Sequence, residues 1–338
     1  MNHHAPVHNF QRSRGPVVSR LHIHAVVFGA TFVMNQTKGA PVLAVVLIGL
    51  LWGLNWPAVK YLLTEMPPLT IRAIAFPSAA LILAIVAKVA GQKLRPAPGE
   101  IGPIVMTGLL VVFGFNVLTT LGQMLTETSK AVIIAYTMPG LTAVFAAIFL
   151  REKLGGRQLL AVGLGMAGLG VLASKDVQSL LADPLGPAIM LAAATSWALG
   201  NVALKAHQWS LQPLALTVWF FVVSGILCGG LAIIVEPAWH QSWPSTFALL
   251  TLGYHILGPM VICYALWTAI VGRLPASVAA ITALLAPVVG VSSAVILLGD
   301  PVSWQKVVAL VLVLASIILV LLPRRDIPRN EPASMQQR

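Results

Sequence analysis

Charged residues are scarce in this 338-residue sequence, where Asp, Glu, Lys and Arg make up 9% against roughly 25% in soluble domains. Hydrophobic residues make up 58%, and the mean hydropathy is +0.88. These values exclude an ordinary soluble domain and predict an integral membrane protein. The two cysteines, Cys228 and Cys263, lie inside apolar runs, so they predict neither a disulfide nor a metal site.

Acidic residues are missing from the interior of every long apolar run. The ten carboxylates fall in loops, tails or run ends: Glu65, Glu100, Glu127, Glu152, Asp176, Asp183, Glu236, Asp300, Asp326 and Glu331. Proton-driven pumps generally keep an Asp or Glu within the membrane, so this absence favours facilitated movement of a solute. It also argues against acid/base catalysis, and the lack of an HExxH motif excludes that class of metalloprotease. We therefore expect no enzyme activity, no cofactor and no resident metal.

Ten hydrophobic runs follow a basic leader, and each has about the 20 residues that a membrane-spanning helix needs. They cover residues 41–63, 68–90, 101–124, 129–150, 157–174, 184–206, 212–235, 245–271, 276–298 and 303–322. The predicted fold class is an all-α integral membrane protein with ten transmembrane helices. Of the 21 Lys and Arg residues, 16 fall on the side of the two tails, so the positive-inside rule places both termini in the cytoplasm.

Basic residues outnumber acidic ones by 21 to 10, but they lie between hydrophobic runs rather than among aromatics on one domain. This arrangement favours anionic lipids as partners over nucleic acid. The leader histidines, His3, His4, His22 and His24, could bind metal, although a solvated and partly disordered tail is the expected structure.

One segment occurs twice, at residues 129–152 and 277–300. At an offset of 148, eight of 24 positions are identical, including Pro139 and Pro287. Proline inside a helix removes one hydrogen bond and crowds the carbonyl four residues earlier. In lipid such a break is tolerated where protein or a wet cavity satisfies the freed group. We therefore predict helix-break hinges at both prolines, beside a transport path.

A weaker repeat joins the first and sixth runs at an offset of 145, where Trp52 matches Trp197 and Lys60 matches Lys205. Because five runs per half is an odd number, the two halves must cross the membrane in opposite senses. Such inverted repeats are typical of secondary transporters. We divide the chain into a leader at 1–39, a first repeat at 40–175, a second repeat at 183–323 and a basic tail at 324–338.

Amide and aromatic side chains recur within these runs. The candidates for a substrate cavity are Trp52, Asn55, Trp56, Asn116, Tyr136, Trp197 and Asn201. Together they would form a mostly apolar pocket with a few orienting polar groups, as small-molecule sites do. Alternatively, the amides join helices and the rings pack or anchor at the interface.

Two further candidates can carry charge. His255 lies about ten residues, or roughly 15 Å, into its run, where it could gate transport or remain a neutral link between helices, and we favour the neutral link. Arg72 could hold a substrate carboxylate, but only four residues into its run we expect it to reach the outer interface. Glycines at 163, 165, 168 and 170 allow close helix packing within the monomer or in a weak homodimer.

Several stretches resemble the EamA-type transporters of the drug/metabolite transporter superfamily over about residues 41–322. They are LLWGLNWPAVKYLL followed by PPLT, and SKAVIIAYTMPG leading into FLREKL. The resemblance implies export of amino acids, related metabolites or drugs from a bacterial cytoplasm, through a central cavity lined by helices one to four and six to nine. It adds Tyr264 to the lining candidates. Many members carry an arginine one turn deeper in the second helix, where this chain has Ala75, which puts a substrate role for Arg72 in doubt.

The sequence therefore predicts an inner-membrane exporter that works by alternating access. A lipid-handling or scaffold protein that moves no soluble solute is the alternative. It would be recognised by lipid in the cavity and by the absence of an efflux phenotype.

Overall fold

A computed structural model describes residues 40–152, 155–174, 184–237, 241–266 and 276–321. All of these except Ala40 belong to one compact unit, Pro41–Arg338. The expectations for the leader with its four histidines, for the segment 175–183 and for the C-terminal tail fall outside the described residues.

Within the described residues the chain forms ten helical runs and no strand. The helices are α1 (Ala40–Leu62), α2 (Pro68–Val89), α3 (Ile101–Leu125), α4 (Thr128–Phe149), α5 (Gly156–Ser174), α6 (Leu185–Ala206), α7 (Pro213–Val235), α8 (Thr246–Leu266), α9 (Ala276–Leu298) and α10 (Trp304–Leu321). Six of them, α2, α3, α4, α6, α7 and α8, are long and apolar enough to cross a membrane. The other four contain apolar stretches of 10–17 residues.

Local sequence accounts for where several helices begin and end. Pro68 and Pro213 occupy the first turns of α2 and α7, where no helical hydrogen bond is lost and the fixed φ of proline suits the helix. Gly91 and Gly299 follow α2 and α9 with φ of 73° and 71°. Glycine adopts this left-handed conformation without steric cost, so it terminates both helices.

The outward faces of the helices are apolar. Ile226, Ile233 and Ile234 on α7 are 70%, 71% and 78% exposed, and Ile296 on α9 is 77% exposed. A water-soluble monomer rarely exposes contiguous apolar surface of this kind. The surface therefore suits hydrocarbon as its solvent.

Small residues allow the closest helix contacts. On α7, a Cβ added at Gly225 would lie 3.0 Å from Pro77 Cγ on α2. On α5, Gly168 faces α10, where an added Cβ would lie 3.2 Å from the Ala309 carbonyl oxygen. The Ser316 hydroxyl of α10 donates to the Ala161 carbonyl oxygen of α5 at 2.6 Å. Close backbone approach of this kind drives helix packing in membranes, and here it joins helices of one chain.

Two glutamate–serine contacts occupy equivalent positions at an offset of 145 residues, with glutamate and serine exchanged. Glu65 follows α1 and accepts hydrogen bonds from the Ser245 amide (2.7 Å) and hydroxyl (2.8 Å) at the start of α8. Glu100 precedes α3 and accepts from the Ser210 amide (2.6 Å) and hydroxyl (2.5 Å), after α6. Ser210 lies 145 residues after Glu65, and Ser245 lies 145 residues after Glu100. The counterparts of the two residues in one contact therefore form the other contact, as in a two-fold symmetric interface.

A second exchange caps the helices α2 and α7. Glu236, after α7, accepts from the Thr70 amide at 2.7 Å in the first turn of α2. Gln92, after α2, accepts through its side-chain oxygen from the Ala215 amide at 3.1 Å in the first turn of α7. Both contacts satisfy amides that a helix N-terminus leaves without an internal partner.

The two segments that repeat in sequence differ in structure. In α4 the helix stops at Ala135 and resumes at Met138, directly before Pro139. By contrast, α9 continues through Pro287, so the expected break at that position is wrong. Pro139 is followed by glycine, which loosens the backbone, whereas Pro287 is followed by two valines. A proline inside an apolar helix is not sufficient to interrupt it.

Other irregularities lie in α3 and α8. Each contains a π-helical stretch, Leu109–Gly114 in α3 and Ile256–Cys263 in α8. Such turns are uncommon inside α-helices and are frequent at functional sites.

Candidate functional site

A cavity of about 260 Å³ lies among the described helices. Its lining residues come from seven helices, mostly from their middle turns: Trp52, Asn55, Trp56, Val59, Arg72, Phe115, Asn116, Thr119, Gln123, Tyr136, Met138, Pro139, Thr142, Trp197, Met260, Tyr264 and Ala286. The volume is slightly below the ~300 Å³ lower end of pockets for drug-sized ligands. It is therefore suited to a small metabolite.

Eight of the ten substrate candidates from the sequence line this one cavity. They are Trp52, Asn55, Trp56, Asn116, Tyr136, Trp197, Tyr264 and Arg72, and the hinge candidate Pro139 joins them. Asn201, His255 and Pro287 are not among the lining residues. Asn201 donates from Nδ2 to the Trp197 carbonyl oxygen at 2.9 Å, one turn earlier in its own helix, and this bond ties its amide to α6.

The surroundings of Arg72 differ from the expected interface position. Its side chain is only 2% exposed and donates from Nε (3.0 Å) and Nη2 (2.6 Å) to the Thr120 hydroxyl of α3. Nη1 lies 2.7 Å from Nε2 of His255 on α8. The position of Arg72 near the start of α2 did not predict its exposure, because α3 and α8 pack against its side chain. The guanidinium therefore turns into the protein and does not reach out to the interface.

Hydrogen-bond logic fixes the state of His255. A guanidinium has only donors, so Nε2 of His255 must accept from Arg72. The proton then resides on Nδ1, which donates to Asn55 Oδ1 at 2.6 Å. The ring is fully buried and neutral in this arrangement. His255 thus links α8 to α1 and α2.

Asn116 was identified from the sequence, but the polar stripe on α3 to which it belongs was not. Asn116, Thr119, Thr120 and Gln123 are buried and spaced i, i+3, i+4 and i+7, so they share one helix face. The Thr120 hydroxyl donates to the Asn116 carbonyl oxygen at 2.7 Å, which leaves its lone pairs to accept from Arg72. The periodicity of polar residues in this run was the signal that could have identified Thr119, Thr120 and Gln123.

Within this stripe, Gln123 carries an unused acceptor. Its side chain is 2% exposed, it lines the cavity, and its Oε1 has no hydrogen-bond partner in the structure. An unsatisfied buried polar atom is costly, so it calls for a partner that the described chain does not provide.

Aromatic rings make up much of the remaining wall. Three ring pairs border the cavity: Trp52 with Tyr264 (6.0 Å between centroids), Phe115 with Trp197 (4.8 Å) and Trp56 with Tyr136 (6.4 Å). Rings at these separations stabilise one another and present flat apolar faces. They supply area for the apolar part of a solute, while the polar groups orient it.

Among the described residues, charges other than Arg72 lie at the ends of helices or in loops. Each of the six described carboxylates has a partner there: Glu65 with Ser245, Glu100 with Ser210, Glu127 with Lys306, Glu152 with Lys205, Glu236 with Thr70 and Asp300 with the Ser129 amide. Among the described lining residues, no carboxylate faces the cavity. Proton transfer through an acidic group of the lining is therefore not available in this part of the chain.

Comparisons with known proteins agree with this architecture. A protein of known crystal structure superposes with a TM-score of 0.62 at 22% identity, covering 86% of this chain and 100% of that one, which shows the same fold. A probable amino-acid metabolite efflux pump of Salmonella typhimurium is 30% identical over 301 residues, covering 85% of this chain and 95% of its own length. The transporter YvbV of Bacillus subtilis, itself uncharacterised, is 27% identical, with 85% and 92% covered.

The family profile covers most of the sequence. It is described as the EamA-like transporter family and matches residues 39–174 and 184–322. Together with the apolar helices, these matches indicate a multi-pass membrane protein whose class of function is transport, with a small molecule as substrate. The chain belongs to the EamA-like transporter family.

Proposed function

We propose that this protein is a secondary transporter that exports a small metabolite across the bacterial inner membrane. In this proposal ten transmembrane helices form two inverted five-helix repeats, residues 40–175 and 183–323, and both termini are cytoplasmic. The solute occupies the cavity between the repeats, and access alternates between the two sides. Relatives named as efflux pumps support export as the direction.

The observation that carries the proposal is the exchange of contacts between the halves. Glu65 with Ser245 and Glu100 with Ser210 are the same contact seen from either half, at one constant offset. An inverted repeat generates such pairs, and it allows one packing to be exchanged for its two-fold-related counterpart on the opposite side of the membrane. The two separate ranges of the family match support the same division.

The chemistry of the cavity supports downhill movement. Proton coupling in membranes generally uses a titratable acid at depth, and the described lining contains none. His255 is engaged by Arg72 and Asn55 and is held in its neutral form. The solute gradient is then the driving force.

Export is tested by untargeted mass spectrometry of the growth medium. Overexpressing cells should enrich at least one metabolite in the medium relative to cells with an empty vector. The variants Trp52→Ala and Trp197→Ala, each matched for membrane level, should reduce that enrichment because they remove ring area from the cavity wall. An unchanged medium would contradict transport of a soluble metabolite and favour the lipid-handling or scaffold alternative, especially if lipid co-purifies in the cavity.

Topology has its own test. Single cysteines placed in the leader and in the C-terminal tail, in a variant lacking Cys228 and Cys263, should both resist a membrane-impermeant maleimide added to intact spheroplasts. Labelling of one tail alone would refute an architecture with both ends on the cytoplasmic side.

A further inference from the structure

Arg72 is the single charged side chain among the described residues that line the cavity. None of the ion pairs within the described residues includes it. Its partners are the neutral Thr120 and His255, with its Cζ 5.9 Å from the centre of the Phe76 ring. A buried cation without an anion is costly, above all at depth in a membrane. An anion brought by the solute would compensate it.

The guanidinium has donors left for such an anion. Nε and one N–H of Nη2 donate to Thr120, and one N–H of Nη1 donates to His255. Of the five N–H groups, one on each terminal nitrogen remains without a described partner. Two N–H groups from a planar fork are what a carboxylate accepts best. The bonds to Thr120 and His255 hold the fork in place before the solute arrives.

An acceptor lies close to this donor pair. Thr120, which contacts Arg72, and Gln123 are three residues apart on α3, so their Cβ atoms are about 5–6 Å apart. The unpartnered Oε1 of Gln123 can accept from an N–H or O–H of the solute. The cavity thus places two N–H groups of Arg72, which can donate to an anion of the solute, near an oxygen of Gln123 that can accept from a donor group of the same solute.

We infer that the cavity selects solutes in which one carboxylate is joined to an apolar or aromatic body and to a nearby hydrogen-bond donor. Arg72 binds the carboxylate, Gln123 accepts from the donor group, and the rings of Trp52 and Tyr264 pack on the body. The inference rests on the proposed function and adds the class of substrate. A phosphate dianion is disfavoured because the described lining provides one cation and mainly apolar area.

The experiment compares wild type, Arg72→Gln and Arg95→Gln. Arg95 lies in the exposed loop before α3, so its substitution removes the same charge outside the cavity. The probe is the metabolite pool of the host cell, measured in the medium by mass spectrometry, with each enriched compound sorted by whether it carries a carboxylate. We expect wild type and Arg95→Gln to enrich carboxylates, and Arg72→Gln to lower that enrichment at least about tenfold through loss of charge-assisted hydrogen bonds.

The outcomes separate the two proposals. If wild type enriches no compound, the proposed function fails, and the substrate class fails with it. If wild type enriches compounds without a carboxylate, or if Arg72→Gln exports the same carboxylates as well as wild type, transport stands and the substrate class is overturned.

A second variant applies even if Arg72→Gln does not fold. Gln123→Glu is close in size and adds an anion one helical turn from Thr120, the contact of Arg72, so it should raise the apparent Tm of the solute-free protein in detergent. It should also lower carboxylate export at least about tenfold, because the internal anion occupies the fork. Gln123→Leu, which removes the unsatisfied acceptor and adds no charge, is the control, and Gln123→Glu should raise Tm further than Gln123→Leu does. A lowered Tm with undiminished carboxylate export in Gln123→Glu would overturn the inference.

Discussion

Among the described residues that line the cavity, most polar side chains come from residues 40–174, and those from residues 184–321 are mainly aromatic or apolar. The first region contributes Arg72, Gln123 and every lining Asn and Thr side chain that the structure describes. The second contributes Trp197, Met260, Tyr264 and Ala286. The loop contacts are nevertheless exchanged between the two regions at a constant offset. The two regions are thus related in these loop contacts but differ in the chemistry of their described lining residues, and this difference can give a solute one preferred orientation.

Position 200 shows why the second region does not repeat the polar groups. It corresponds to Asn55 at the offset of 145, but it is glycine, and α6 packs there directly on α3. A Cβ added at Gly200 would lie 2.9 Å from the Val111 backbone nitrogen and 3.1 Å from Leu110 Cβ. One region provides a side chain for the cavity where the other provides a close helix contact.

We expect the largest effect from adding a side chain at Gly200, whose counterpart in the first region is Asn55. Gly200→Ala should lower the free energy of unfolding by about 1–3 kcal/mol, because the new methyl group overpacks backbone that cannot retreat. Gly170→Ala is the control, since an added Cβ there meets nothing within 4 Å. Thermal unfolding of purified protein in one detergent measures both, and equal Tm values for the two variants would contradict the close contact of α6 with α3.

The next comparison is between α4 and α9. Pro139→Ala should favour a continuous α4 and change the balance between conformations by about 1 kcal/mol, or roughly fivefold in population. Export should fall by a similar factor while the membrane level of the protein is unchanged. The same substitution at Pro287, which lies in an uninterrupted helix, should have a smaller effect. A larger loss of export in Pro287→Ala than in Pro139→Ala would reverse the comparison.

Helix positions followed from the apolar runs, because a run without charges can be satisfied only by a helix in lipid. The run at 68–90, for example, folds as Pro68–Val89. Lateral surroundings did not follow, because they depend on which helices become neighbours. Arg72 is four residues into its run and yet is covered by α3 and α8. The loop contacts of Glu65 and Glu100 were equally beyond reach, since each partner lies more than 100 residues away in sequence.

The exchanged glutamates predict a pH dependence. The hydroxyl of Tyr61, with further hydrogen bonds from Ser245, holds the pKa of the Glu65 carboxyl below its usual value. Hydrogen bonds from Ser210 do the same for the pKa of Glu100. A depressed folded-state pKa stabilises the fold above the unfolded value, about 4.3 for glutamate, and this contribution is lost as the pH falls through the folded value.

We therefore expect Tm in detergent to decline as the pH falls below about 4.3. The double variant Glu65→Gln, Glu100→Gln should have a lower Tm at neutral pH and a flatter profile on the acid side. Each single variant should remove part of the acid-side decline, because the two contacts are counterparts. An unchanged slope in the double variant would assign the acid sensitivity to other groups.

The smallest effect is expected at the exposed ion pair of Lys205 with Glu152. The atoms Nζ and Oε1 are 2.5 Å apart, but the lysine side chain is 65% exposed and the glutamate 40%. Such surface pairs stabilise by at most about 1 kcal/mol because water and salt screen them, so Lys205→Met should barely change Tm.

The matched variant is Lys306→Met. Lys306 is 3% exposed in its pair with Glu127 and also donates to the Pro301 carbonyl oxygen at 2.6 Å. Loss of the Lys306 ammonium group should lower Tm clearly, since water does not reach the buried site to replace its two contacts. Raising the salt concentration should reduce any effect at Lys205 and leave that at Lys306, and equal salt sensitivity at both sites would show that burial does not distinguish them.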